Sequence, residues 1–207
     1  MAELYALPVQ VQSVHRTRNR FSLYLPRVTG MKNTEAQETM NRAIGQTAES
    51  MLRQLGYYEN PEHTEVTGFY EIKTNERGVL SIALNIYAYT YPAAHGLTLI
   101  EALTFDVSTG RSYTLGQLFK PGSDYVKTIS EIVSAQIKER DVPTLEPFTV
   151  IRPDQDFYVA DKAVVVYFQL YELTPYVYGF PMFPISVYDL QDLVAEDGPL
   201  QPMLANQ

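Results

Sequence analysis

Residues 34–55 read TEAQETMNRAIGQTAESMLRQL, and their period decides the fold. Ala36, Met40, Ile44, Ala48, Met51 and Leu55 recur every three or four residues, which lays one apolar stripe along a helix. Thr34 with Gln37 resembles a capping box, and Gly56 supplies the stop. On both sides the apolar period falls to two. Val9 and Val11, then Phe21, Leu23 and Leu25, predict two short strands before the helix. Gly68–Thr74 and Val79–Tyr91 predict a strand pair after it, turning at Asn75-Glu76-Arg77-Gly78. In the second of that pair Leu80, Ile82, Leu84 and Ile86 face one way. Ser81, Ala83, Asn85, Tyr87 and Tyr89 face the other, a surface expected to meet solvent or a ligand. The first half is a long amphipathic helix laid on a sheet.

The pattern then repeats with variations. Pro92-Ala93-Ala94-His95-Gly96 interrupts it, Leu97–Val107 resumes as a strand, and Ser108-Thr109-Gly110-Arg111 turns the chain. A second helix is expected from Ser123 or Asp124 to about Glu139, with Val126, Ile129, Val133 and Ile137 as its buried stripe. The three prolines between Asp141 and Pro153 predict an extended loop. Phe157–Ala160 and Ala163–Tyr171 predict strands turning at Asp161-Lys162, Pro175–Pro184 a loop, and Ile185–Leu190 a last short strand. Residues 197–207 read as a loose tail. The order is β-β-α-β-β, then β-α-β-β-β, which makes the class α+β with two mostly antiparallel sheet-plus-one-helix halves. The expected joint lies near residues 92–97, giving halves at 8–92 and 97–193. Whether they share one sheet is left open.

Composition excludes several kinds of chemistry. The 207 residues contain no Cys and no Trp, but 16 Tyr and 9 Phe. Without Cys there are no disulfides, thiol nucleophiles or Cys-ligated clusters. At 45% apolar and 19% charged the chain is too hydrophobic for disorder. A net charge of −8 opposes a general nucleic-acid binder and fits an acidic surface that keeps the chain soluble, or one that meets a basic partner. No apolar run approaches the roughly 18 residues of a spanning helix. The opening MAELYALPVQVQSVHRTRNR shows no signal peptide, so a cytoplasmic location is the expectation from the sequence as written. Its basic cluster, His15, Arg16, Arg18 and Arg20, reads as a solvated turn rather than an anion site.

Three segments could carry chemistry. His95 beside Gly96 at a strand end could act as a base, although hydrogen bonding within a tight loop is the simpler role. Only three His exist, far apart and without metal-ligand spacing, so neither a metal nor a cofactor is expected. Glu172 could pair with His95 or Asp189 in acid/base work, or it could lock its loop by accepting hydrogen bonds. Tyr176, Tyr178, Phe180 and Phe183 crowd one short loop between prolines and suit either core packing or a recognition face.

The same residues carry a resemblance. Tyr87 to Gly96, with Tyr-x-Tyr-Thr and Ala-His-Gly, comes first. Phe105-Asp106-Val107-Ser108-Thr109-Gly110-Arg111 follows, with Leu115, Leu118 and Phe119. Phe157-Tyr158 and then Tyr167-Phe168, Tyr171-Glu172, Pro175-Tyr176 and Gly179 complete the order. Together they resemble the PdaC/RsiV-like family of bacterial proteins, with paired domains of unknown function 4163 (N-terminal, including the Asn41 region) and 3298 (C-terminal). The resemblance spans roughly residues 8 to 193. It implies an extracytoplasmic setting in Firmicutes, where one group forms ectodomains of membrane-anchored anti-sigma factors that sense lysozyme by binding it. Another group precedes polysaccharide-deacetylase domains. Where relatives carry Thr-Gly-Gly-Ala-His-Gly, this chain has Pro92 and Ala93 in place of the two glycines.

The leading expectation is therefore a non-catalytic binding or sensory module. Its ligand residues are expected to be Tyr89, Tyr91, His95, Tyr171, Glu172, Tyr176 and Tyr178, and its partner a basic protein such as lysozyme or a cell-wall glycan. The alternatives are a hydrolase using His95 and Glu172, and a cytoplasmic protein-interaction scaffold. Oligomeric state is not readable from the sequence.

Overall fold

The computed structural model describes residues 7–204, which fall into two compact units dividing between Ser112 and Tyr113. Each is sheet plus helix, and the class is α+β. In the first unit β1 (Gln10–Arg18), β2 (Phe21–Thr29), β3 (Thr64–Glu76), β4 (Val79–Thr90) and β5 (Leu97–Asp106) form one sheet in sequence order. All neighbours are antiparallel except β2 and β3. These run parallel because helix α1 (Thr34–Gln54) is the crossover between them.

The stripe read from the sequence is the buried face of α1. Met40, Ile44, Ala48 and Met51 pack with Leu23, Leu80, Ile82, Leu84, Ile86 and Phe105 in one core. Each large side chain so buried contributes about 1.5–3 kcal/mol. The cap lies one residue earlier than expected: Asn33 accepts from Ala36 N at 3.1 Å, while Gln37 Oε1 accepts from Met31 N at 3.1 Å. Asn41 ties α1 to β2, accepting from Val28 N at 2.8 Å and donating to Val28 O at 2.9 Å.

The expected joint near 92–97 falls inside this sheet. β5 pairs with β4 from Val79↔Asp106 to Ala88↔Leu97, so it completes the first unit instead of opening the second. The first unit is β-β-α-β-β-β and the second begins with a helix. The β3–β4 turn is two residues, Arg77 and Gly78, both with positive φ, as the right-handed twist of a tight hairpin requires. The β4 face expected to meet solvent is closed over much of its length. Ser81 is buried with its hydroxyl 2.8 Å from that of Thr104, and Asn85 is buried with Nδ2 donating to Glu71 at 3.3 Å.

In the second unit α2 (Tyr125–Glu139) precedes a three-stranded antiparallel sheet of β6 (Phe157–Ala160), β7 (Ala163–Tyr167) and β8 (Met182–Ser186). The last strand starts earlier than expected. Met182–Ser186 is extended, and Val187–Leu190 closes into a 3-10 turn with Ser186 accepting from Tyr188 N at 3.3 Å. Pro184 fits within β8 because that strand is an edge. Gln136 and Arg140 of α2 cover that edge, donating to the carbonyls of Pro184 (2.8 Å) and Met182 (2.9 Å).

Residues 197–204, expected as part of a loose tail, are held in place. α3 (Gln201–Leu204) buries Met203 beside the buried Leu200. Residues 205–207 of that expectation lie outside the described residues. No described helix is long and apolar enough to cross a membrane.

Candidate functional site

The residues expected to bind ligand divide between the units. Tyr89, Tyr91 and His95 belong to the first, and Tyr171, Glu172, Tyr176 and Tyr178 to the second.

The His95 loop leaves β4 through a turn in which Ala93 N donates to Thr90 O at 2.9 Å. His95 Nδ1 lies 2.9 Å from Gly96 O, so the ring is engaged by its own loop. Gly96 is needed for space rather than for φ: a Cβ there would overlap the Tyr87 ring. The recess that Tyr89 and Tyr91 line does not include His95. Arg20, His63 and Glu65 line it with them, at the end of the sheet where the β1–β2 turn meets the start of β3. Backbone pairing fixes all five. Val66 N donates to Arg20 O at 2.8 Å, Tyr91 N donates to His63 O at 3.0 Å, and Glu65 sits opposite Tyr89 in register. Sequence reasoning missed His63 and Glu65. The hairpin register would have found them, but a bulge at Lys73 shifts the count by one residue, which moves Glu65 to the opposite face of a naive alignment.

In the second unit Glu172 is a hub. One carboxylate oxygen accepts from Arg152 Nη1 and from Gln155 Nε2 (3.3 Å), the other from Gln169 N at 2.7 Å. The donors include Arg152, a buried glutamine and a backbone amide. Arg152 also approaches Asp154 at 3.6 Å and Asp156 at 3.9 Å. Burial lifts the pKa of Asp156, against the opposing hydrogen bond from Gln169 at 3.0 Å. Glu172 N in turn donates to Gln169 O at 3.1 Å, closing the turn that carries Tyr171. Tyr171 sits at φ 66, a left-handed conformation rare for a bulky side chain.

The aromatic loop is partly core and partly surface. Phe183 is fully buried, with the Phe168 ring edge-on at 5.8 Å and the Arg140 guanidinium 5.2 Å from its centroid. Tyr171 is 50% exposed, Tyr176 and Tyr178 are 38% exposed, and Val177 is 92% exposed. The last three residues form a 3-10 turn (Tyr176–Tyr178) stopped by Gly179 at φ 82. Tyr171 and Tyr176 rings lie 5.4 Å apart. The result is an exposed aromatic tip.

The basic cluster is mostly strand. His15 stacks on Tyr24 at 4.1 Å, Arg16 pairs with Glu49 at 3.5 Å, and Arg18 lies over the Phe21 ring at 4.7 Å. Only Arg20 stands on the turn. Among the described residues no group of three His, Asp or Glu is arranged to hold a metal. The acidity is concentrated: residues 113–207 carry 13 Asp or Glu against 6 Lys or Arg, a net −7, while residues 1–112 carry 11 against 10, a net −1.

Residues 116–188 match the model of a family described as protein of unknown function (DUF3298). A curated relative, anti-sigma-V factor RsiV of Bacillus subtilis (strain 168), is 27% identical over 184 residues, covering 82% of this chain. The chain spans 63% of that relative's length. Two crystal structures share the fold. A member of the DUF3298 family from Bacteroides fragilis superimposes with TM-score 0.69 at 14% identity, covering 97% of this chain and 98% of its own. A DUF3298 family protein from Pseudomonas aeruginosa PAO1 gives 0.68 at 17% identity, covering 98% of both chains.

Proposed function

We propose that this chain is a non-catalytic, protein-binding sensory module whose contact surface is the aromatic tip of the second unit. The observation that carries this reading is Val177, 92% exposed between two half-exposed tyrosines on a 3-10 turn. Large aromatic side chains with few rotatable bonds lose little entropy on binding and dominate contact energies. An L-tyrosine held in the left-handed region beside them adds a strained residue of the kind that collects at functional surfaces. Tyr171, Tyr176 and Tyr178 make the contact, and Glu172 is a positioning residue that holds their turn through Arg152 and Gln169. Its oxygens are engaged by three donors of its own unit, which weighs against acid/base work with His95.

The partner is a basic protein. A unit with a net −7 attracts a positively charged surface and speeds its approach. Lysozyme is the first partner to test, since similarity to an anti-sigma factor favours a module that reports on a bound protein. The first unit, residues 8–92 with β5 added, corresponds in this reading to the paired domain 4163. The setting is outside the cytoplasm.

Calorimetric titration of the chain with lysozyme tests the proposal. Saturable binding is expected, weakened at least about tenfold by Tyr176→Ala, as truncation of an aromatic anchor requires. Absence of binding, or binding that Tyr176→Ala leaves unchanged, contradicts it.

A further inference from the structure

The recess at the end of the first sheet serves none of this. Arg20, His63 and Glu65 line it with Tyr89 and Tyr91, and among the described residues none of these five side chains makes a hydrogen bond or an ion pair. Arg16 and Arg18 of the same sequence cluster are engaged by Glu49 and by aromatic rings, and Glu71 is engaged by Lys73 at 3.1 Å. Arg20 and Glu65 carry opposite charges on one concavity and do not bridge each other.

The backbone beneath is tied by hydrogen bonds. Besides the bonds that fix Arg20, His63 and Tyr91, the Thr64 and Thr90 hydroxyls meet across β3 and β4 at 2.8 Å, and Thr64 Oγ1 donates to Asn60 O at 2.7 Å. Tyr91, 65% exposed, leaves most of its surface open to solvent at the rim. Donors, acceptors and two aromatic rings are thus held ready without neighbours to use them, which lowers the entropy lost when a ligand orders them.

From this we infer that the recess is a second binding site, taking a neutral polyhydroxylated ligand, a saccharide. An anion would meet the Glu65 carboxylate and a cation the Arg20 guanidinium. A sugar ring presents C–H faces that pack on tyrosine and hydroxyls that both donate and accept, so it uses Arg20, His63 and Glu65 together. The site belongs to the first unit, and the inference does not depend on the protein-binding reading.

The test is a ligand-observed NMR titration of the full chain with N-acetylchitotriose, cellotriose and maltotriose. At least one is expected to bind saturably with a Kd of about 1 mM or tighter. Tyr91→Ala and Glu65→Gln should each weaken that binding about fivefold or more, while Tyr178→Ala in the second unit leaves it unchanged. Thermal melts of the variants verify folding, and Glu65→Gln preserves shape if Tyr91→Ala does not fold. No saturable binding of any of the three sugars, or binding that neither substitution weakens, overturns the inference. Binding of inorganic phosphate in their place, abolished by Arg20→Gln, also overturns it and makes the recess an anion site.

Discussion

At the scale of single residues, Tyr171 and the two aspartates matter most. A left-handed L-residue costs roughly 1–2 kcal/mol, and the Glu172 turn is what holds Tyr171 there. Glycine removes that cost while giving up backbone entropy of about half to 1 kcal/mol. Tyr171→Gly is therefore expected to leave the melting temperature unchanged or raised while weakening lysozyme binding. A melt several degrees lower would mean that Tyr171 is structural. Asp106 is a pH-dependent contributor. Partial burial works against its charge, but hydrogen bonds from Ser108 N (2.7 Å), Ser108 Oγ (2.6 Å) and Thr109 N (3.3 Å) outweigh it and hold the carboxyl below its unfolded value near 3.8. The stability it adds is complete above that value and is lost as pH falls through the lower folded one. Asp106→Asn should be less stable at neutral pH and lose less stability on acidification, as read by urea titrations across the acid range. Equal acid limbs would refute the assignment. Asp156 acts with the opposite sign, because burial raises its pKa and its contribution is lost as pH rises through that value.

At the scale of elements, the turn after β5 docks on the start of α1. Asn33 Nδ2 donates to Ser108 O at 2.9 Å, and Gly110, at φ 75, lies so close to Ala36 that a Cβ would overlap its backbone. Gly110→Ala combines a left-handed penalty with that overlap. It should cost at least about 1–3 kcal/mol and lower the melting temperature measurably. Part of the Asp106 to Arg111 segment therefore serves to join the end of β5 to the start of α1. Helical periodicity made α1 legible because one face of it is entirely core. The strand β5 was legible as a strand but not as a member of the first sheet, since nothing local in Leu97–Asp106 records that its partner is β4. The aromatic loop was legible as a place and not as a division. Phe183 sits on a β8 strand that begins three residues before the stretch recognisable from its apolar run, and that early start is what separates a buried phenylalanine from exposed tyrosines. Glu172 was legible as an engaged carboxylate, whereas Arg152 and Gln155 are distant in sequence and gave no local signal.

At the scale of the whole molecule, the uneven charge makes the two units different objects. One is nearly neutral and carries a polar recess; the other holds a net −7 and the aromatic tip. The residues matched by the DUF3298 model lie inside the second of these. A protein partner drawn by charge and anchored by tyrosines should then cover the tip of the second unit. Amide hydrogen exchange of the chain with and without lysozyme tests this most directly. Slowed exchange across residues 171–179 is expected on binding. Protection confined to the first unit, or none at residues 171–179, would contradict it.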